Sequence, residues 1–358
     1  MRLTAWLASR LLRLLLVLLS VAAVSFGLMM LSPIDPVDAY LGPQMAQVSP
    51  EQRTLIAERW GFNAPASVQF HHWLQQLLSG ELGWSHIYNQ PVSDVINQRF
   101  QRSFFLLLSA WLLSLILGVV LGIAAGSKEG SLLDRLISGY AYITASTPTF
   151  WLAMLALLLF SVTLGWTPTC CAGPTGVLSQ EVTLLTQLHH LLLPTLTLAL
   201  LGVATITLHT RAKMAAFMRS DTALHAFAQG ASRFDIAWRH GLRHASLPAV
   251  TLAFASLGEL FGGSLLVEQV FAYPGLGQAT VAAGLRSDVP LLLAIALFTA
   301  LFVSVGNLIA DGLYQWADPR IARDRTNEEP AAPGRSRLCR CVWPAGITVA
   351  QQFSMAGR

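Results

Sequence analysis

Lysine is nearly absent from this chain. Its 358 residues include two, Lys128 and Lys213, and neither follows a glycine. A glycine-rich phosphate loop ending in Gly-Lys is therefore excluded, so any ATP hydrolysis coupled to this chain must come from another polypeptide. The sequence also has no HExxH pair for a zinc protease and no GxSxG elbow for a serine nucleophile, which excludes the familiar intramembrane hydrolases. Charge of either sign is scarce, at 12% of residues, against 54% hydrophobic residues and a mean hydropathy of +0.54. A soluble domain carries about twice that charge, so the composition is that of an integral membrane protein.

What is present is long apolar runs. Six are long enough to cross a hydrocarbon core of about 30 Å: Leu11–Leu31, Phe104–Ala125, Ser138–Leu164, Leu188–His209, Pro248–Phe271 and Val289–Trp316. They are continuous and lack alternation, which excludes a transmembrane β-barrel and predicts an all-α polytopic protein of six transmembrane helices. Basic residues set the orientation. The N-terminal tail holds three, the 126–137 loop two, the 210–247 loop six and the C-terminal tail seven, leaving five for the opposite side. By the positive-inside rule both termini and the 210–247 loop are cytoplasmic, as an even number of spans requires.

Four regions are expected: residues 1–32, a tail and first span; 33–103, a periplasmic segment; 104–323, the transmembrane core; and 324–358, a disordered cytoplasmic tail. The first span has a longer apolar run than a signal peptide and no small-x-small site before Pro33, so it reads as an uncleaved anchor. The periplasmic segment has turn signals at Ser32-Pro33, Asp35-Pro36 and Gly42-Pro43 and an amphipathic stretch at Val68–Leu78, and is expected to be helical.

The loop within residues 211–247 is a capped helix-turn-helix. Ser220 and Asp221 are N-cap types, Thr222–Gln229 form a helix of about two turns, and Gly230 ends it in the left-handed conformation. Ser232 and Asp235 then make a capping-box-like start to a second helix, expected to reach Ala245 before Pro248 opens the next span. A two-turn helix is unstable alone in water and needs a surface to dock on. Leu224 and Phe227 share its face, and Ala223, Ala226 and Ala228 allow close approach. The alternative is an amphipathic loop lying on lipid headgroups.

The remaining candidates carry polar chemistry. Glu259 falls near the middle of the fifth span, where a charge costs about 2.5–3.5 kcal/mol, and either faces a cavity or hydrogen-bonds a neighbouring helix. Met154 either lines a path or packs. Asp311 is expected to pair with an arginine at a helix end. His240 and His244 have metal-binding spacing but lie among Arg239 and Arg243, which favours a solvated pair facing a partner. His71, His72 and His86 lie in the periplasmic segment and His189 and His190 at the outer mouth of span four. Cys170 and Cys171 are neighbours, which opposes a disulfide between them, and Cys339 and Cys341 fall in the tail.

Four blocks carry a family resemblance. Phe227–Pro248 resembles the EAA loop of importer permeases of the ATP-binding-cassette (ABC) superfamily, in the dipeptide, oligopeptide and nickel branch. Pro65-x-x-Val68-Gln69-Phe70-x-x-Trp73-Leu74 with Gly80–Ser85, Glu268–Gly277 and Ala317–Ile321 look like the same branch, in the same order. His225 and Gln229 stand where the family usually has threonine and lysine. The resemblance implies a type I importer permease fold with a cytoplasmic coupling helix, where Leu224, Ala226, Phe227, Ala228, Gly230 and Asp235 receive force from an ATPase. It also implies an inner-membrane setting and four partners: a second homologous permease, two cytosolic ATP-binding subunits that hold ATP and magnesium, and a periplasmic substrate-binding protein. No cofactor is expected in this chain, and nucleic acid is not an expected partner. Gly258-Glu259-Leu260-x-Gly262-Gly263 and Pro148–Ala153 look closer to nickel permeases, so nickel or a metal chelate is the expected cargo, with a dipeptide or oligopeptide as the alternative. An ion-coupled secondary transporter is the rival class; it would need paired acidic residues in the spans.

Overall fold

The computed structural model describes residues 2–30, 37, 48–59, 65–85, 87–174, 183–286 and 288–317. The expectations for His86, for Cys339 and Cys341 and for the 324–358 tail lie outside them.

Among the described residues four helices are long and apolar enough to cross a membrane, and two bent pairs bring the number to six. The long helices are α1 (Arg2–Met30), α4 (Val92–Ser127), α7 (Leu184–Met218) and α12 (Val289–Ala317). The bent pairs are α5 (Leu132–Ala145) with α6 (Thr149–Thr163), and α9 (Arg233–Ala255) with α10 (Leu257–Val270). Shorter helices are α2 (Pro50–Arg59), α3 (Ala66–Leu78), α8 (Asp221–Ala228) and α11 (Leu276–Leu285). One antiparallel hairpin, β1 (Trp84–Ser85) and β2 (Gln90–Pro91), precedes α4.

The two bent spans correct the sequence expectation of continuous helices over Ser138–Leu164 and Pro248–Phe271. Pro148 lies between α5 and α6, which meet at 107°. Its ring denies the preceding residue helical geometry and removes one backbone donor. The 55° bend between α9 and α10 falls at Ser256, whose ψ of 4° leaves the helical ladder and whose hydroxyl donates to the Ala253 carbonyl at 3.1 Å. Pro248 does the opposite of what was expected. It sits inside α9, so the second helix of the 211–247 loop does not stop at Ala245 but continues to Ala255. Membrane helices tolerate proline within a span, and one turn on the Thr251 hydroxyl donates to the Pro248 carbonyl at 2.9 Å.

The centre of the fold is the α4–α7 pair. Without a hydrophobic driving force in lipid, helices associate through close backbone approach, which small residues permit. Gly118, Gly122 and Gly126 form that stripe on α4. A Cβ at Gly118 would lie 2.7 Å from the Cβ of Ile206, one at Gly122 2.5 Å from the Cβ of Thr210, and one at Gly126 2.6 Å from the Arg211 carbonyl. Gly202 on α7 returns the fit against Ser114, whose hydroxyl donates to the Ala199 carbonyl at 3.0 Å. Around this seam Leu106, Ala110, Leu198, Val267, Leu276 and Ile295 are buried, while Leu11, Leu15, Leu158 and Ile309 face outward. The expected pairing of Asp311 occurs: Arg10 of α1 meets it at 2.6 Å.

Candidate functional site: a capped loop and a cavity beside Glu268

Two clusters of polar residues lie at opposite ends of the α4–α7 seam. The first is built on Asp134. Its backbone N–H donates to the Ser131 hydroxyl, which caps α5, while its buried carboxylate accepts from Gly130 N–H at 2.9 Å and from Arg211 Nη2 at 2.8 Å, with Arg211 Nε on the other oxygen. A two-pronged arginine contact fixes orientation as well as charge. Arg219 makes a second pair with Glu129 at the surface, so the turn after α4 is tied to the end of α7 at two points.

From that end α8 leaves. Ser220 accepts from Ala223 N–H at 3.5 Å, the helix covers Asp221–Ala228, and Gly230 follows with φ +86°, a left-handed value that glycine adopts without steric cost. Ser232 accepts from Asp235 N–H at 3.2 Å and donates to the Asp235 carboxylate at 2.6 Å, starting α9. Ala223, Ile236 and Ala237 are buried and seat the loop on the protein, while Leu224 is 56% exposed. Ala226, Phe227 and Asp235 are half-buried, and Ala228 and Gly230 exposed. Leu224 and Phe227 therefore do not present one common free face. Leu224 is instead matched by Phe234, 69% exposed in the first turn of α9. Sequence reasoning missed Phe234, although a large aromatic between two charged residues in the 210–247 loop was a usable signal. His225 and Gln229, the two departures from the family pattern, bond each other at 3.0 Å.

The second cluster is at the other end of the seam. Glu268, in the last turn of α10, is fully buried. Ser103 of α4 donates to its Oε1 at 2.6 Å, and Gly277 and Gln278 donate backbone N–H groups to its Oε2 at 2.7 and 3.3 Å. Ser103 also accepts from Leu276 N–H at 2.7 Å. Two side chains from different helices thus satisfy the first free donors of α11, where a carboxylate also complements the helix dipole. Gly275 has to be glycine for space, because a Cβ there would run into the Glu268 carboxylate and the Ser103 hydroxyl. Asp288 plays the same part for α12: it accepts from Leu291 N–H at 3.3 Å and from the Ser85 hydroxyl at 2.6 Å, holding the hairpin to the last span. Neither Glu268 nor Asp288 was assigned a role from sequence.

Next to Glu268 lies a cavity of about 650 Å³, lined by Arg102, Phe105, Cys171, Leu188 and Tyr273 among others. Burial pushes the Tyr273 phenol up to about 12, so it stays neutral. One wall corrects the cysteine expectation: Cys170 and Cys171 are joined in a disulfide. Cys171 takes φ +74° and donates its N–H to the Phe271 carbonyl at 3.0 Å, a turn that brings the two neighbouring side chains together.

The other candidates are scattered. Glu259 and Met154 are exposed, on α10 and α6. His189 and His190 bond the carbonyls of Trp166 and Thr186, each at 2.9 Å. His240 and His244 are exposed, and His244 stacks on Phe217. His71 bonds Gln75 at 3.1 Å. Among the described residues no group of three or more histidine, cysteine, aspartate or glutamate side chains is placed to hold a metal ion.

Comparison with known proteins agrees with this architecture. Residues 118–323 match the family described as binding-protein-dependent transport system inner membrane component, and residues 3–106 match its N-terminal membrane component. The chain is 34% identical over 306 residues to the oligopeptide transport system permease protein AppB of Bacillus subtilis, covering 85% of this chain and 95% of that one. It is 36% identical over 322 residues to a putative peptide transport system permease protein of Brucella abortus, covering 90% and 100%. A third relative, the glutathione transport system permease protein GsiC of Salmonella typhimurium, is 34% identical over 318 residues, covering 88% and 98%.

The chain belongs to the permeases of ABC importers, in the dipeptide, oligopeptide and nickel branch, and has their type I fold. It is a multi-pass inner-membrane protein of a family that works with ATP-binding and substrate-binding partners.

Proposed function

We propose that this permease moves short peptides, not nickel, inward across the membrane. The observation that carries this reading is the outer cavity, where Arg102 is the only charged side chain of the lining among the described residues. A cationic metal is repelled there and an anionic end group is attracted. The transport functions named for the relatives, of oligopeptides, peptides and glutathione, support the same choice. The nickel expectation rested on local patterns around Glu259 and Pro148, and the described residues supply no metal-binding group to sustain it.

In this reading the chain pairs with a second homologous permease, and two cytosolic subunits that bind ATP and magnesium dock on α8. Leu224 and Phe234 are the apolar contacts, half-buried Ala226 and Phe227 and exposed Ala228 shape the helix, and Gly230 and Asp235 hold the turn. Arg211–Asp134 and Arg219–Glu129 transmit the push of ATP closure to α4 and α7. The basic loops support a cytoplasmic side for this end and for both termini. A periplasmic binding protein delivers peptide to the opposite end, and Glu259 and Met154 stand on exposed helix faces available to the path. An ion-coupled carrier is disfavoured, since such a carrier needs interacting acidic residues in its spans. The test is growth of an amino-acid auxotroph on a dipeptide that contains the required amino acid. Deletion of this gene should abolish growth on the peptide but not on the free amino acid; unchanged growth on both, with loss of nickel-dependent enzyme activity, would contradict the proposal.

A further inference from the structure

The outer cavity holds an arginine that has no counter-ion among the described residues. Its volume of about 650 Å³ lies within the range of small-molecule sites. Arg102, half-buried in its wall, makes no hydrogen bond or ion pair among the described residues. The other structured arginines nearby or along the same helices behave differently. Arg99, one turn earlier on α4, donates to Gln278 Oε1 at 3.0 Å and lies 4.8 Å over the Tyr88 ring. Arg211 and Arg219 are each paired with a carboxylate. A partly desolvated guanidinium keeps its charge at any physiological pH, and its planar fork of donors matches a carboxylate.

The rest of the lining limits what fits. Among the described residues it contains no aspartate or glutamate to partner an ammonium group. Phe105, Leu188 and Leu191 supply apolar walls for side chains of varied size. Tyr273 and the Cys171 turn close it on the side of the Glu268 cluster, where Cys171 is held by the Phe271 carbonyl. Such a cavity accepts an anionic end attached to an apolar body and turns away a cationic end.

We propose that this cavity is an entry subsite for the C-terminal carboxylate of the peptide, with Arg102 as its anion partner. The inference rests on the peptide reading above and adds an orientation to it: the peptide enters the permease with its carboxylate held at α4 and its N-terminus away from it.

The test uses the whole complex in lipid vesicles, with trialanine as the free acid and as the C-terminal amide, each supplied on binding protein loaded to saturation. Arg102→Gln should lower free-acid uptake about tenfold and change amide uptake less than twofold, the size expected for one charge-assisted contact. Arg102→Lys should recover part of the free-acid uptake. Only complexes that copurify with their ATPase at the wild-type level are compared. Equal losses for acid and amide would overturn the proposal and make Arg102 a docking residue for the binding protein. A loss seen only in vesicles with anionic lipid would also overturn it and assign the arginine to a headgroup phosphate. Uptake of neither peptide form by the wild-type complex would bring down the peptide reading itself, while acid uptake by wild type that Arg102→Gln leaves unchanged would bring down the subsite alone.

Discussion

Ser103 on α4 and Glu268 on α10 are 165 positions apart in sequence and 2.6 Å apart in space, and together they cap the start of α11. Both are fully buried. A buried carboxylate is tolerable only when its oxygens are hydrogen-bonded, and here one oxygen takes the hydroxyl and the other two backbone N–H groups. The cavity beside Glu268 inherits its wall from this arrangement, since Tyr273 lies between the two ends that Glu268 joins.

Glu268→Ala should therefore destabilise the folded protein by about 3 kcal/mol, because it orphans the Ser103 hydroxyl and two amides in a dry site. Ser103→Ala should cost about 1 kcal/mol, and Gly275→Ala should resemble Glu268→Ala through collision with the carboxylate. Thermal midpoints in detergent would check the order. Equal midpoints for Glu268→Ala and wild type would contradict the assigned role.

The glycine stripe on α4 gives a second comparison. Gly122→Val should lower the yield of folded protein sharply, by overpacking worth about 1–3 kcal/mol or more, because its Cβ would meet Thr210 at 2.5 Å and the Thr207 carbonyl at 2.8 Å. Gly139→Ala is the control, since no atom lies within 4 Å of a Cβ there. If both substitutions give wild-type yield, the α4–α7 seam is not closely packed at Gly122.

Much of this fold is legible in the sequence. The six apolar runs, the Ser220 and Ser232 caps and the left-handed Gly230 all follow from local rules; the caps and the glycine turn occur at the expected residues, whereas the helices overrun the apolar runs, by twelve residues at the start of α4. What escapes is long-range. The bend at Ser256 has no proline to announce it. The partners of Glu268 and Asp134 come from helices far apart in the chain, and a single sequence carries no signal for such pairing. Glu259 drew attention by its position within an apolar run, whereas Glu268, at the end of the same run, is the carboxylate that the packing encloses. Phe234 escaped because a turn breaks the helical period there, which leaves its place between Arg233 and Asp235 as the one local signal.

The Arg211–Asp134 pair should matter more for its balance than for its net strength. Asp134→Ala alone leaves a partly buried guanidinium unpaired and should cost about 3–5 kcal/mol, while Asp134→Ala with Arg211→Met removes both charges and should recover most of the stability. Uptake should stay low in the double variant if the pair also links the loop to α4. A double variant as unstable as Asp134→Ala would show that the aspartate serves only its own Gly130 and Ser131 turn.

Gly230→Val places a β-branched residue at φ +86°, where its side chain is strained whatever the surrounding space. The protein should insert and assemble, yet ATP hydrolysis by the complex should no longer drive uptake. Leu224→Asp and Phe234→Asp should instead weaken docking, seen as less ATPase retained on purification. Normal uptake by all three variants would remove the 220–235 loop from the coupling route.

The most direct measurement is ATP-driven uptake by the complete complex sealed in vesicles without an ion gradient, comparing a radiolabelled tripeptide with radioactive nickel. The account requires the peptide to accumulate only when ATP is present on the side of the 210–247 loop, and nickel to remain at the level of empty vesicles. Nickel accumulation without peptide uptake, or peptide uptake that needs an ion gradient and no ATP, would contradict it.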